Sequence, residues 1–160
     1  MILMKRPALI LAPLTLAAFL TGCALRLPRW HHVTKPSAQV TSVRLDDQSE
    51  QGARVIITVA LSNPNDLSLP LIRSAYTVKL GDLPAATFHE DPLKALPRTG
   101  PQTVELAAAV PTNGASVAGM DYRVSGSITY EPPGEVRQVL TESGVPLPTV
   151  GFSSSGSLSQ

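Results

Sequence analysis

The sequence predicts an all-β fold, a two-sheet antiparallel sandwich, on three observations. Apolar and polar residues alternate at period two in run after run, the pattern of strands buried on one face. Fifteen prolines and eleven glycines divide 160 residues into short apolar segments separated by turns. No long helix is read after the N-terminal leader; Ala115–Asp121 has room for one helical turn. The chain beyond that leader is about one domain's worth, enough for a single modest core.

Each strand has its own warrant. Val43 and Leu45 share one face of a first strand that begins near Gln39 and ends in the polar Asp46–Gly52 loop. The clearest strand follows, with Val55, Ile57, Val59 and Leu61 on one side and Arg54, Thr58 and Ser62 on the other. It stops at Asn63-Pro64-Asn65, where proline has no N–H for a ladder and the amides can bond nearby backbone. Ile72, Ser74, Tyr76, Val78 and Leu80 then mark a face of the next strand. Gly81-Asp82 links it as a hairpin to a strand starting at Leu83.

A proline-rich crossover, Asp91–Pro101, leads to a strand over Thr103–Val110 whose Val104, Leu106, Ala108 and Val110 share a face. After Thr112-Asn113-Gly114, a further strand carries Tyr122, Val124, Ile128 and Tyr130 inward. Pro132-Pro133-Gly134 interrupts it, Glu135–Glu142 resumes as strand, and Val145–Phe152 holds the last apolar set. The organisation expected is 1–22 leader, 23–37 tether, 38–152 sandwich and 153–160 flexible tail.

The leader has a specific ending. Lys5 and Arg6 precede an apolar run, Ala8–Leu20, of secretory length and too short to span a membrane. Leu20-Thr21-Gly22-Cys23 closes it and resembles the lipobox of bacterial lipoproteins, with the only cysteine of the chain in the acylated position. The resemblance implies cleavage before Cys23 and lipid on its sulfur and new amine. One acyl chain holds a bilayer marginally and two suffice. It further implies a bacterial envelope location. Ala24, standing where inner-membrane retention favours aspartate, points to the outer membrane facing the periplasm. In the Leu25–Ser37 tether, Arg26, Arg29 and Lys35 around Trp30 suit anionic headgroups or plain water.

Val55–Asn65, then Leu69-Pro70-Leu71, then Tyr76–Gly81 together resemble the group 2 late embryogenesis abundant domain and its close relative, the water-stress and hypersensitive-response (WHy) domain. Val104-Glu105-Leu106 and Tyr122–Ile128 sit where that family has further strands, so the resemblance covers residues 38–152. It implies an immunoglobulin- or fibronectin type III-like sandwich that protects proteins or membranes under desiccation, cold or other stress. It implies no active site and no cofactor. Asn63, Pro64 and Asn65 match its turn motif. If Asn63 satisfies only turn N–H groups, its loss should cost about 1 kcal/mol.

Chemistry is otherwise sparse. A net charge of +1 and 16% charged residues argue against nucleic-acid binding, and 4% aromatics supply no stacking groove. One cysteine excludes an internal disulfide. Gly114–Ala118 and Gly151–Ser155 both lack the final glycine of a serine-hydrolase elbow. His31-His32 and His89-Glu90-Asp91 are adjacent residues that point apart on regular structure, and Asp46, Asp47 and Glu50 lack calcium-loop spacing. No metal site and no enzyme are expected. The expected partners are a membrane, through the N-terminal lipid, and envelope client proteins. An adaptor for one specific envelope complex and an apolar small-ligand module are the alternatives. Cys23→Ala should leave an unprocessed precursor on a gel; normal cleavage and lipid labelling in that variant would refute the lipobox.

Overall fold

Val55, Ile57, Val59 and Leu61 are all fully buried along β2 (Gly52–Asn63). A strand apolar along one whole face needs a second layer to cover it. The computed structural model, which describes residues 33–91 and 95–159, supplies that layer. β2 lies between β1 (Ser37–Gln48) and β6 (Gly100–Pro111) in a three-stranded antiparallel sheet. The facing antiparallel sheet has the order β4 (Ala86–Glu90), β3 (Leu69–Leu80), β7 (Asp121–Tyr130), β8 (Thr149–Ser157). The two-residue β5 (Ala95–Leu96) pairs with the start of β3. One core cluster fills the space between the sheets, from Val43 on β1 to Leu158 beyond β8. The expected mostly-β sandwich of two antiparallel sheets is the fold.

The strands run between two ends. At the near end, where the chain comes in at Val33, lie the Asn63–Leu69 turn, β5 and the connection from β7 to β8. At the far end lie the Ser49–Gln51 turn, the link after Leu80 and the Thr112–Met120 loop. The leader, the lipobox Leu20, Thr21, Gly22 and Cys23, and the His31-His32 pair fall outside the described residues.

Four expectations need correction. Glu135–Glu142 is a helix, α1, not a strand. Val136, Val139 and Leu140 stand at the i, i+3, i+4 spacing of a helical stripe. Its C-terminus is a Schellman motif: Val145 N–H donates to Leu140 O and Gly144 N–H to Thr141 O, with Gly144 at φ 66°. Ala115–Met120, in contrast, forms no helical turn, only turns and loop, and Asp121 already opens β7.

The second correction concerns the C-terminus. β8 runs through Ser157, Leu158 is buried, and Ser159 pairs with Arg44 while its carbonyl accepts Leu45 N–H. The sandwich therefore extends past residue 152 into the segment read as a tail. The last set also begins later than expected, because Val145 is exposed and pairing starts at Thr149.

Third, β3 changes phase. The register jumps from Leu71↔Tyr130 to Arg73↔Thr129, so Ile72 is an extra residue in a bulge. Leu69 and Leu71 point inward before it, Ser74, Tyr76, Val78 and Leu80 after it, and Ile72 is left outside. Fourth, the Gly81-Asp82 turn forms, with Leu83 N–H on Leu80 O and Gly81 at φ 49°. Pairing resumes only at Val78↔Ala86, so β4 starts three positions later than Leu83 would place it.

A cross-strand row packs the middle of the larger sheet: Phe88, Tyr76, Gly126 and Phe152 are successive register partners. Tyr76 and Phe88 stack at a centroid distance of 5.4 Å. The rings close over Gly126, where an added Cβ would lie 2.6 Å from both Phe152 Cζ and Tyr76 Cβ. Gly126→Ala is expected to cost about 1–3 kcal/mol through overpacking, seen as a lower urea midpoint at unchanged slope. At Gly151 the added Cβ would meet only Gly126 O at 3.7 Å, so Gly151→Ala should stay within about 0.5 kcal/mol of the parent.

Candidate functional site

The densest polar arrangement is built by the Asn-Pro-Asn motif at the near end. β2 ends at Asn63, and Pro64 turns the chain because it cannot extend a ladder. Asn63 is 2% exposed and Asn65 8% exposed, so their amides must find protein partners. Asn63 Oδ1 accepts Asn65 N–H at 3.1 Å and Asn65 Nδ2 at 2.7 Å. Asn63 Nδ2 donates to Leu67 O at 2.7 Å and Pro97 O at 3.0 Å. All four hydrogen-bonding positions of that amide are used.

Asn65 reaches the incoming chain. Its Oδ1 accepts Thr34 N–H and its Nδ2 donates to Thr34 O, both at 2.8 Å, as a neighbouring strand would. Its own carbonyl accepts Thr99 N–H at 3.0 Å. The motif thus joins the end of β2, the turn to β3, the crossover before β6 and the segment before β1. Turn shaping was expected. The clamp on Thr34 was not, since nothing in the spacing of residues 34 and 65 announces it. Residues 33–36 consequently belong with the sandwich: Val33 packs on the core and Pro36 is buried, although 23–37 reads as tether.

A second polar contact spans the two sheets. Tyr76 points inward from β3, and its hydroxyl lies 2.8 Å from Ala107 O on β6 and 2.7 Å from Glu90 Oε1 on β4. Burial first, and then the Glu90 carboxylate, hold the Tyr76 hydroxyl far above the usual phenol range, so it stays protonated and donates. Its single proton serves one acceptor at a time. Burial also raises Tyr130. The sequence signal for the Tyr76 contact was available: a tyrosine on an apolar strand face needs a partner for its hydroxyl.

The other candidates are dispersed. His89 is exposed, Glu90 turns to Tyr76, and Asp91 stands 3.9 Å from Arg73. Asp46 faces Arg44 at 2.9 Å and Arg54 at 3.5 Å, Asp47 accepts Gln48 N–H, and no arrangement unites them with Glu50. Among the described residues, no three His, Cys, Asp or Glu side chains converge to hold a metal. An open groove of about 390 Å³ at the far end sets Lys79 beside Arg123, its register partner, with Asp121 held by Ser157 at 2.8 Å. Its cations can attract an anion from water, but the groove is open and offers no buried acid, base or nucleophile.

No protein-family model matches the chain, and no curated protein matches it. Solved structures share its fold, two of them as follows. The solution structure of At2g46140.1, a candidate late embryogenesis abundant (LEA) protein, aligns with a TM-score of 0.61 at 18% identity, over 83% of this chain and 75% of that one. The solution structure of AT1g01470 from Arabidopsis thaliana aligns at 0.57 and 20% identity, over 80% of this chain and 83% of that one. At these identities the likeness establishes the sandwich.

Removing either amide should be felt unequally. Asn63→Ala leaves the Leu67 and Pro97 carbonyls without their donor and is expected to cost about 2–3 kcal/mol, above the turn-only figure. Asn65→Ala should cost about 1–2 kcal/mol and speed hydrogen exchange at the Thr34 amide. Unchanged exchange there would remove the clamp.

Proposed function

We propose that the protein is a membrane-anchored, non-catalytic lipoprotein whose LEA-like sandwich protects envelope proteins or membrane during desiccation or related stress. The reading rests on the sandwich shared with an LEA structure, joined to the lipobox-like Leu20-Thr21-Gly22-Cys23. Cys23 carries the anchor in this reading, and Asn63, Pro64 and Asn65 hold the domain to its tether. A module of fibronectin type III proportions on the outer membrane would meet clients through its faces and edges.

An adaptor role for one envelope complex is the second reading, favoured by β6. That twelve-residue strand forms an edge of its sheet, and away from Ala107, whose carbonyl takes the Tyr76 hydroxyl, its backbone can take up a partner strand. Binding of an apolar small ligand gains no comparable support, because side chains fill the inter-sheet space and the described grooves are open.

Residues 24–160 are expected to preserve a labile enzyme through drying or freezing better than an inert sandwich of equal size. Equal losses of enzyme activity would sink the protective reading. In-membrane crosslinking separates the alternatives: a diffuse client set supports protection, and one stoichiometric partner supports the adaptor.

A further inference from the structure

Helix α1 is an amphipathic helix whose apolar stripe is only partly covered by the rest of the domain. Val136 and Leu140 are only half-buried, Val139 is 51% exposed, and the helix has no buried residue. A helix of eight residues is marginal in water on its own. This one is held at its flanks: Glu131 N–H donates to Pro70 O, Tyr130 N–H to Pro148 O, and Arg137 pairs with Glu131. Those bonds fix the helical segment to the near end of the sandwich.

The large exposed hydrophobics of the described residues are Val139, Val145 at 50% and Ile72 at 37%. Single exposed apolar residues need no explanation. These three all belong to the near end: two on or just after α1, and one at the β3 bulge beside the end of β7. The chain comes in at the same end, where Asn65 clamps Thr34. Val33 is ten positions after Cys23, so an extended linker reaches roughly 35 Å at most. Charge neither recruits nor repels strongly here, since Lys35, Arg73, Arg98 and Arg137 stand against Asp66, Asp91, Glu131, Glu135 and Glu142.

We propose that the near end is a bilayer-docking surface, with the α1 stripe, Val145 and Ile72 seated in the headgroup boundary of the membrane that holds Cys23. The short linker keeps these side chains within reach of that surface, and apolar contact supplies the attraction. The far end, with its Lys79–Arg123 groove, then faces away from the bilayer. The inference rests on the lipoprotein reading.

The test uses the acylated full chain on phosphatidylcholine vesicles. Cys23 is the sole cysteine, and acylation consumes its thiol. In Val139→Cys the introduced thiol is therefore the one site for an environment-sensitive dye, and Asn113→Cys labels the far end. On vesicles, the dye at 139 should shift to the blue and lose severalfold in quenching by aqueous iodide relative to the dye at 113. Adding Ile72→Ser and Val145→Ser should reverse that protection. One dye per chain with equal quenching at both positions overturns docking while the anchor stands. Two dyes per chain, with the protein left in solution, overturns the anchor and docking together. Protection at 139 that needs no vesicles and grows with protein concentration assigns the patch to a second copy and overturns the proposal.

Discussion

The side-chain amides of Asn63 and Asn65 are the interaction on which the rest of the molecule depends. The chain crosses from one sheet to the other at this point, where backbone groups lose their ladder partners under a largely covered turn. An unsatisfied group there costs about 1–3 kcal/mol. Six side-chain hydrogen bonds from two residues meet that requirement for four separate segments. Asparagine suits the position because its amide copies the donor and acceptor of a peptide group on a short stem. Aspartate would offer only acceptors when ionised, and both Nδ2 groups are in use.

Most of the architecture was legible because β-strands state their burial at period two. β2 is the clear case: four apolar residues spaced by two became four fully buried side chains. β3 was legible in kind but not in phase. A bulge leaves no residue type as its signature, and Ile72 looks like any other inward isoleucine until its unpaired position is seen. α1 was misread because its valines suggested a strand, although their spacing and the Ser143-Gly144 stop were helical signals. The C-terminal segment was misread for composition: a run of serines and glycine looks solvated, but small residues can form a strand when a neighbouring ladder supplies the bonds. The Thr34 clamp and the far-end groove join residues distant in sequence, and such juxtapositions have no local signal.

The chemistry of the molecule follows from how its polar groups are spent. Buried amides and the Tyr76 hydroxyl are committed to holding segments and sheets together, and Asp46, Asp47, Asp91 and Glu131 near the surface lean on arginines or backbone. Exposed ion pairs of the Arg44–Asp46 kind contribute little to stability. Edge protection uses the same economy. β1 carries two register shifts along its pairing with β2, and the Tyr76 hydroxyl sits on Ala107 O at the β6 edge. What remains for recognition is surface: strand faces, open grooves and the partly covered helix.

The pairing of Ser159 with Arg44 has a mechanical consequence. β1 begins at the near end, and the segment after β8 finishes at the far end, and the two lie side by side in parallel. A pull on the N-terminal chain against a load at the C-terminus therefore runs along both strands in opposite senses. Their shared bonds, and the long β1–β2 ladder behind them, are strained in shear and must yield together instead of unzipping in sequence. The Asn65 amide stands ahead of that ladder on Thr34, so it is the first element to take up tension. A domain wired in this way can be pulled by its N-terminal chain without surrendering its core.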